Sequence, residues 1–259
     1  MKQEVRVVAI LTMRNIRKSI QTPLLVAASL LQPVLWLVMF SQTFRGLGGT
    51  SQLQTLGFNS YLSFFAPSML VLAVLFTALQ SGMATMTDID SGMLDKFRIL
   101  PMRRFSILLG RVIADAVTML LQGGIVLVVA LAMGAGVVTG PLGAVGMLSL
   151  AAALGVVWAC LTNLIALSTK SSELTMVAGL FVTLPALFLS SAFFPMKFQP
   201  EWLQAVAQVN PAAYVISAEQ LLMSVANDRK QDLAALAAVA VTALVLVPVT
   251  VAAFWTATR

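Results

Sequence analysis

Reactive side chains are sparse in this chain. It has no histidine and a single cysteine, Cys160. Histidine-ligated metal sites and Ser-His-Asp triads are therefore excluded, as is an intrachain disulfide. Two stretches hold side chains that can do something specific. The first runs from Thr87 to Phe105. Within it Met93, Leu94, Phe97 and Leu100 fall in one helical arc, while Asp95, Lys96, Arg98 and Ile99 fill the opposite one. Asp88, Asp90 or Ser91 can cap its start, Gly92 permits a bend, and Pro101 ends the helix. A capped short helix with an apolar face and a charged rim suits docking into a partner's groove. The plainer alternative is a solvated helix lying on a membrane.

The second stretch runs from Ser190 to Leu222. Pro195, Pro200 and Pro211 cut it into pieces too short to cross a bilayer, yet only Lys197, Glu201 and Glu219 are charged. Short apolar helices of this kind read as re-entrant or interfacial. Glu219 is the carboxylate here that can sit within the membrane's depth, where an ionisable group is a functional-site candidate. Exposure at the outer interface is the favoured expectation for it.

The surrounding elements follow from where charge is missing. The chain is 59% apolar and 10% charged, with a mean hydropathy of +0.93, against about 25% charged in a soluble domain. A water-soluble enzyme is ruled out. Charge-free stretches predict an all-α integral membrane protein with six spans, at about 21–44, 61–86, 108–133, 142–168, 174–194 and 233–257. Gly134, Gly136, Gly140 and Pro141 mark the turn between the third and fourth. The docking helix is expected at about 90–100, the re-entrant segment at about 195–222, and an interfacial helix at about 5–20. In that interfacial helix Thr12, Met13, Ile16 and Ile20 face the acyl chains, and Arg14, Arg17 and Lys18 the headgroups. Twelve Lys and Arg fall on one side of this layout and four on the other, which places both termini in the cytoplasm. The net charge of +6 is then topology and headgroup attraction rather than a nucleic-acid footprint.

An N-terminal amphipathic helix, six spans, a cytoplasmic loop reading Asp90-x-Gly92-x-Leu94-Asp95 and closing on Leu100-Pro101, and an Asn210-Pro211-x-x-Tyr214 segment resemble the membrane subunit of type-2 ATP-binding-cassette exporters. The chain also looks similar to the drug-resistance permeases of the daunorubicin-exporter kind. The resemblance covers nearly the whole chain. It implies that Asp90, Gly92, Met93, Leu94, Asp95, Phe97, Arg98, Leu100 and Pro101 form a coupling helix. Leu109-Gly110-Arg111 match the opening of the third span. Phe194, Pro195, Trp202, Asn210, Pro211, Tyr214 and Glu219 belong to the re-entrant outer gate, although many members carry a basic residue where this chain has Glu219-Gln220. The implied partners are membrane lipid, a second copy of the permease and a separate nucleotide-binding subunit, in a bacterial cytoplasmic membrane. No Gly-x-x-x-x-Gly-Lys-Ser/Thr run occurs, so this chain needs no cofactor of its own and has no ATPase site; ATP and Mg would be held by the partner.

Two other classes compete less well. An ion-coupled transporter needs ionisable groups near mid-membrane, and the charge-free stretches hold none. An intramembrane protease needs histidine or aspartates inside spans. For the cargo, the spans offer Leu, Val, Ala, Met and Phe, with Asn163 and Gln122 as polar points. Fourteen Met can make an adaptable lining or plain packing. A lipophilic drug-like molecule or lipid is favoured over a lipid-linked polysaccharide. Pro23, Pro33 and Pro185 are expected bend points within the first and fifth spans.

Overall fold

The computed structural model describes residues 2–20, 23–46, 57–58, 60–91, 104–224 and 229–257, and among these no strand occurs. The helices are α1 (Lys2–Ile20), α2 (Pro23–Thr43), α3 (Tyr61–Asp90), α4 (Arg104–Ala132), α5 (Gly140–Thr169), α6 (Ser172–Phe188), α7 (Glu201–Ala207), α8 (Pro211–Met223) and α9 (Arg229–Ala257). Four of them contain stretches long and apolar enough to cross a membrane: Tyr61–Asp90, Leu109–Ala132, Gly140–Thr169 and Ala234–Ala252.

Helix α3 is the centre. Its 30 residues give a rod of about 45 Å, against a hydrocarbon core of about 30 Å. From Tyr61 to Leu75 every side chain is buried. Helices α2, α4, α5, α6 and α8 all pack on it. In a bilayer, helices associate by close approach and by hydrogen bonds between them rather than by expelling water. Small residues supply that approach here. A Cβ on Gly82 would meet Thr162 O of α5 at 2.7 Å, and one on Gly179 of α6 would meet Leu79 Cδ1 at 2.2 Å. At the same crossing Thr162 Oγ1 donates to Ala78 O at 2.6 Å. The outward faces are apolar instead: Leu142, Phe181 and Leu244 are each more than 70% exposed, the surface a lipid solvent demands.

Several elements depart from the sequence expectation. The span expected at 61–86 continues to Asp90, so Asp88 and Asp90 form its last turn instead of opening a separate helix; the Ser91 N–H closes it on Thr87 O at 3.1 Å. Two acidic residues at a helix C-terminus oppose its dipole, and Arg111 of α4 offsets this by pairing with Asp88 at 3.0 Å. The span expected at 174–194 stops at Phe188, because Ser190 Oγ caps Leu187 O at 2.5 Å and the chain turns back. Pro23 opens α2 rather than lying within it, at a position where a missing N–H costs nothing. Helix α1 begins at Lys2 and docks on α4 through its Leu11–Thr12 edge: Leu11 is 5% exposed, and Thr12 Oγ1 donates to Gly110 O at 3.1 Å. The surface of α4 at Gly110 covers Leu11.

The α3–α5 crossing sets a stability test. Backbone at 2.7 Å cannot yield to a new side chain, so Gly82→Val is expected to cost about 1–3 kcal/mol. Gly124→Ala, at a position with nothing within 4 Å of a new Cβ, should leave the thermal midpoint of the purified chain nearly unchanged.

Candidate functional site

Two polar or aromatic constellations interrupt the apolar packing, one at each end of α3. Toward Asp90, residues Thr77, Ser81, Thr85 and Asp88 share one face of α3. The Ser81 hydroxyl donates to Asp115 Oδ2 of α4 at 2.5 Å and accepts from Asn163 Nδ2 of α5 at 3.3 Å. Thr85 donates to Asn163 Oδ1, and Thr77 to Gln122 Oε1. Arg111 ties the end together: Nη1 reaches Asp88 Oδ2 at 3.0 Å and Nη2 reaches Ser81 O at 2.7 Å. Asp88 is buried. These bonds lock α3, α4 and α5 in register just where the chain leaves for residues 92–103.

Gln122 and Asn163 thus connect α3 to α4 and α5. Likewise Met69, Met86, Met119, Met147 and Met223 are buried as packing. Asp115 lies inside the apolar Leu109–Ala132 stretch, where it accepts from Ser81.

At the opposite end, an aromatic column joins α2 to α3 and to the segment after α6. Phe40 stacks on Phe65 with centroids 5.3 Å apart, Tyr61 stacks on Phe65 at 5.5 Å, and Phe193 stacks on Phe188 at 4.8 Å. Tyr61 Oη donates to Phe193 O at 3.2 Å. Beside the column lies a cleft of about 460 Å³ lined by Trp36, Phe40, Phe188, Phe194, Gln199 and Leu203 among others, within the size range of small-molecule sites.

The Asn-Pro-x-x-Tyr segment has a local explanation. Asn210 Oδ1 accepts from Ala212 N at 3.0 Å, capping α8. Its Nδ2 donates to Ala186 O at 2.5 Å and Leu189 O at 3.3 Å, taking up carbonyls freed where α6 ends. Pro211 occupies the first turn of α8. Tyr214 Oη donates to Gln208 O at 2.8 Å. Gln220, unmarked by the sequence, clasps the segment to α3: Nε2 donates to Phe64 O at 3.2 Å and Ser191 O at 3.0 Å.

The remaining expected residues are placed as follows. Asp90 is the last residue of α3. Gly92, Met93, Leu94, Asp95, Phe97, Arg98, Leu100 and Pro101 lie outside the described residues. Phe194 lines the cleft, Pro195 precedes a single helical turn at Met196–Phe198, and Trp202 projects outward, 62% exposed. Glu219 overturns the expectation of exposure: it is 0% exposed, because it shares the inward face of α8 with Ala212, Val215 and Ile216. Among the described residues no cluster of three His, Cys, Asp or Glu side chains is arranged to hold a metal ion.

The sequence profile described as ABC-2 type transporter matches residues 6–223. The daunorubicin resistance ABC transporter permease protein DrrB1 of Streptomyces coeruleorubidus is 30% identical over 197 residues, covering 74% of this chain and 66% of that protein. The putative transport permease ycf38 of Porphyra purpurea is 32% identical over 206 residues, covering 78% of this chain and 68% of its own length. Its namesake in Pyropia yezoensis is 30% identical over 212 residues, with coverages of 79% and 69%. The chain therefore spans just under two thirds of the daunorubicin-resistance relative's length.

Because Asn210 serves two helix ends at once, Asn210→Ala removes a cap and leaves two carbonyls without their donor. A loss of about 1–2 kcal/mol is expected, seen as a lower thermal midpoint and faster proteolysis between Leu189 and Asn210. Asn210→Asp, which keeps the cap acceptor but turns a carboxylate oxygen toward Ala186 O and Leu189 O, should lose at least as much.

Proposed function

The chain belongs to the ABC-2 type transporter family, and on that premise we propose that it is the permease subunit of an ATP-driven exporter whose ATP is hydrolysed on a separate nucleotide-binding subunit. As a family member with several apolar helices, it is a multi-pass membrane protein. The further reading is that six helices cross, α2 and α6 included, with both termini in the cytoplasm of a bacterium and residues 195–222 re-entering from outside. Two copies meet around the pathway. The cargo is a lipophilic drug-like molecule or a lipid, taken from the cytoplasm or inner leaflet; resistance to a drug, named for the Streptomyces relative, is consistent with that class.

The observation that carries this reading is the continuity of α3 between the two constellations. Helix α3 and α4 flank residues 92–103, and Arg111, Asp88, Ser81 and Asp115 lock them together at that mouth. The other end of α3 is bound to the outer segment through Tyr61 and Phe64. In the proposed mechanism, closure of the nucleotide-binding partner displaces the 92–103 loop. The polar lock passes that displacement to α3 and α4 as one body. The outer segment, clasped to α3, then parts from its counterpart in the second copy and frees the cargo. The aromatic cleft offers an apolar surface on which such a cargo can rest before release.

The coupling helix is the testable part. Truncating an apolar anchor, Phe97→Ala, is expected to cost about 2–4 kcal/mol of partner binding and to abolish co-purification with the nucleotide-binding subunit, without lowering the permease's own thermal midpoint. Asp95→Lys reverses a rim charge, so it should weaken association in a salt-dependent way. Wild-type assembly and transport-stimulated ATP turnover in both variants would reduce the loop to a surface helix.

A further inference from the structure

Glu219 is a carboxyl to which no described residue gives a counter-charge. It is 0% exposed, and neither carboxyl oxygen has a hydrogen-bond partner. Rotation of α8 cannot relieve it, because the next residue, Gln220, is fixed to Phe64 O, Ser191 O and Ser191 Oγ. One turn along α3 from Phe64, Ser68 Oγ is likewise fully buried and without a partner. The carboxylates of Asp88 and Asp115, by contrast, are paired or bonded.

Among the described residues no cation answers a negative charge at Glu219. Helix α3 carries Tyr61, committed to Phe193 O, and Asp88 and Asp90 at its far end. Helix α5 carries Cys160, with Lys170 just beyond its C-terminus, and α6 carries Glu173 in its first turn, at the end away from Phe188. Helix α9 starts with Arg229, Lys230 and Asp232, whose side chains lie outside the described residues. The space is also too tight for an organic cation: Ala212, Val215, Ile216 and Ala218 around it are all 0% exposed, and the aromatic cleft is lined by no residue of α8. An ionised carboxylate buried in this way costs several kcal/mol, whereas a neutral carboxyl costs only its unmade hydrogen bonds. The one cation that fits without a cavity is a proton.

We propose that Glu219 is a proton-binding site of the outer segment: packed against α3 the carboxyl holds a proton, and it releases that proton to the water on its own face of the membrane when α8 lifts and becomes hydrated. Burial pushes the carboxyl well above the ordinary glutamate range, so the packed form binds more protons than the lifted one. The packed form is therefore fully favoured below the ordinary value of about 4.3. That advantage is lost as pH rises from there toward the raised value, by up to about tenfold in the packed-to-lifted ratio per pH unit. This goes beyond the exporter reading and rests on it only for which compartment is outside.

The test uses the full chain in liposomes. An infrared difference spectrum, wild type minus Glu219→Gln at about neutral pH, should show the C=O stretch of a protonated carboxyl. Carboxylate bands in its place would overturn the proposal. Glu219→Met should give the same loss as Glu219→Gln, and Arg229→Gln with Lys230→Gln should leave the wild-type spectrum unchanged. Hydrogen exchange of the amides from Ala212 to Met223, corrected for the intrinsic pH dependence of exchange, reads the lifting itself. In wild type it should rise with pH on one side of the membrane, by up to tenfold per unit, and it should be flat in Glu219→Gln. A wild type as flat as the variant overturns the linkage. A response to the pH inside rather than outside supports the proton site and reverses the orientation assumed above, so the two readings fail separately.

Discussion

Everything in this molecule leans on the burial of α3. A helix of 30 residues, enclosed by five others, has no lipid or water face for most of its length. Its neighbours can come close only where a side chain is absent or small, and Gly82 and Gly179 meet that requirement. Because the hydrophobic effect does not drive helices together inside a bilayer, the crossings are held instead by contact area and by bonds such as Thr162 to Ala78 O. The outer helices are free to be apolar toward lipid because the polar groups are gathered around α3.

That gathering explains why polarity is divided between two ends. Toward Asp90, three hydroxyls, two amides, two carboxylates and one guanidinium bond one another across three helices. Hydrogen bonds of this sort are worth roughly 1 kcal/mol each in membrane proteins, so the set contributes mainly register. Toward Tyr61, aromatic area does the holding, with Tyr61, Asn210 and Gln220 fixing the outer turn by bonds to backbone oxygens. Glu219 stands apart from both sets. Its carboxyl is buried without a partner, which is why its occupancy by a proton bears on whether the segment stays down.

Much of this was legible in the residues. The absence of charge over long stretches announces membrane helices, and the positive φ of Gly134 and Gly140 makes physical sense of the glycines between α4 and α5. Prolines at 195, 200 and 211 sit where the outer helices begin or break, since proline lacks the N–H an interior turn needs. Asn210-Pro211-x-x-Tyr214 was visible as a motif, but its double capping role was not, because the second helix end lies elsewhere in the chain. Periodicity failed in two ways. It cannot see a charge satisfied by a distant helix, so the lock that Arg111 and Asp115 make with Asp88 and Ser81 was not legible. It also cannot tell which face of a short helix turns inward, so Glu219 was assigned to water. The i, i+4 series Thr77, Ser81, Thr85 in an apolar helix was the available signal that α3 has a polar seam.

The account requires the two ends of α3 to face opposite compartments, the polar lock toward the nucleotide-binding partner and the aromatic end toward the outside. Ser91, exposed at the end of α3, and Val209, 82% exposed on the outer segment, are positions where a cysteine is accessible without touching the packing. In a Cys160→Ala background, a membrane-impermeant maleimide applied to intact cells should label Val209→Cys, and should label Ser91→Cys only after permeabilisation. Labelling of both positions from the same side would contradict it.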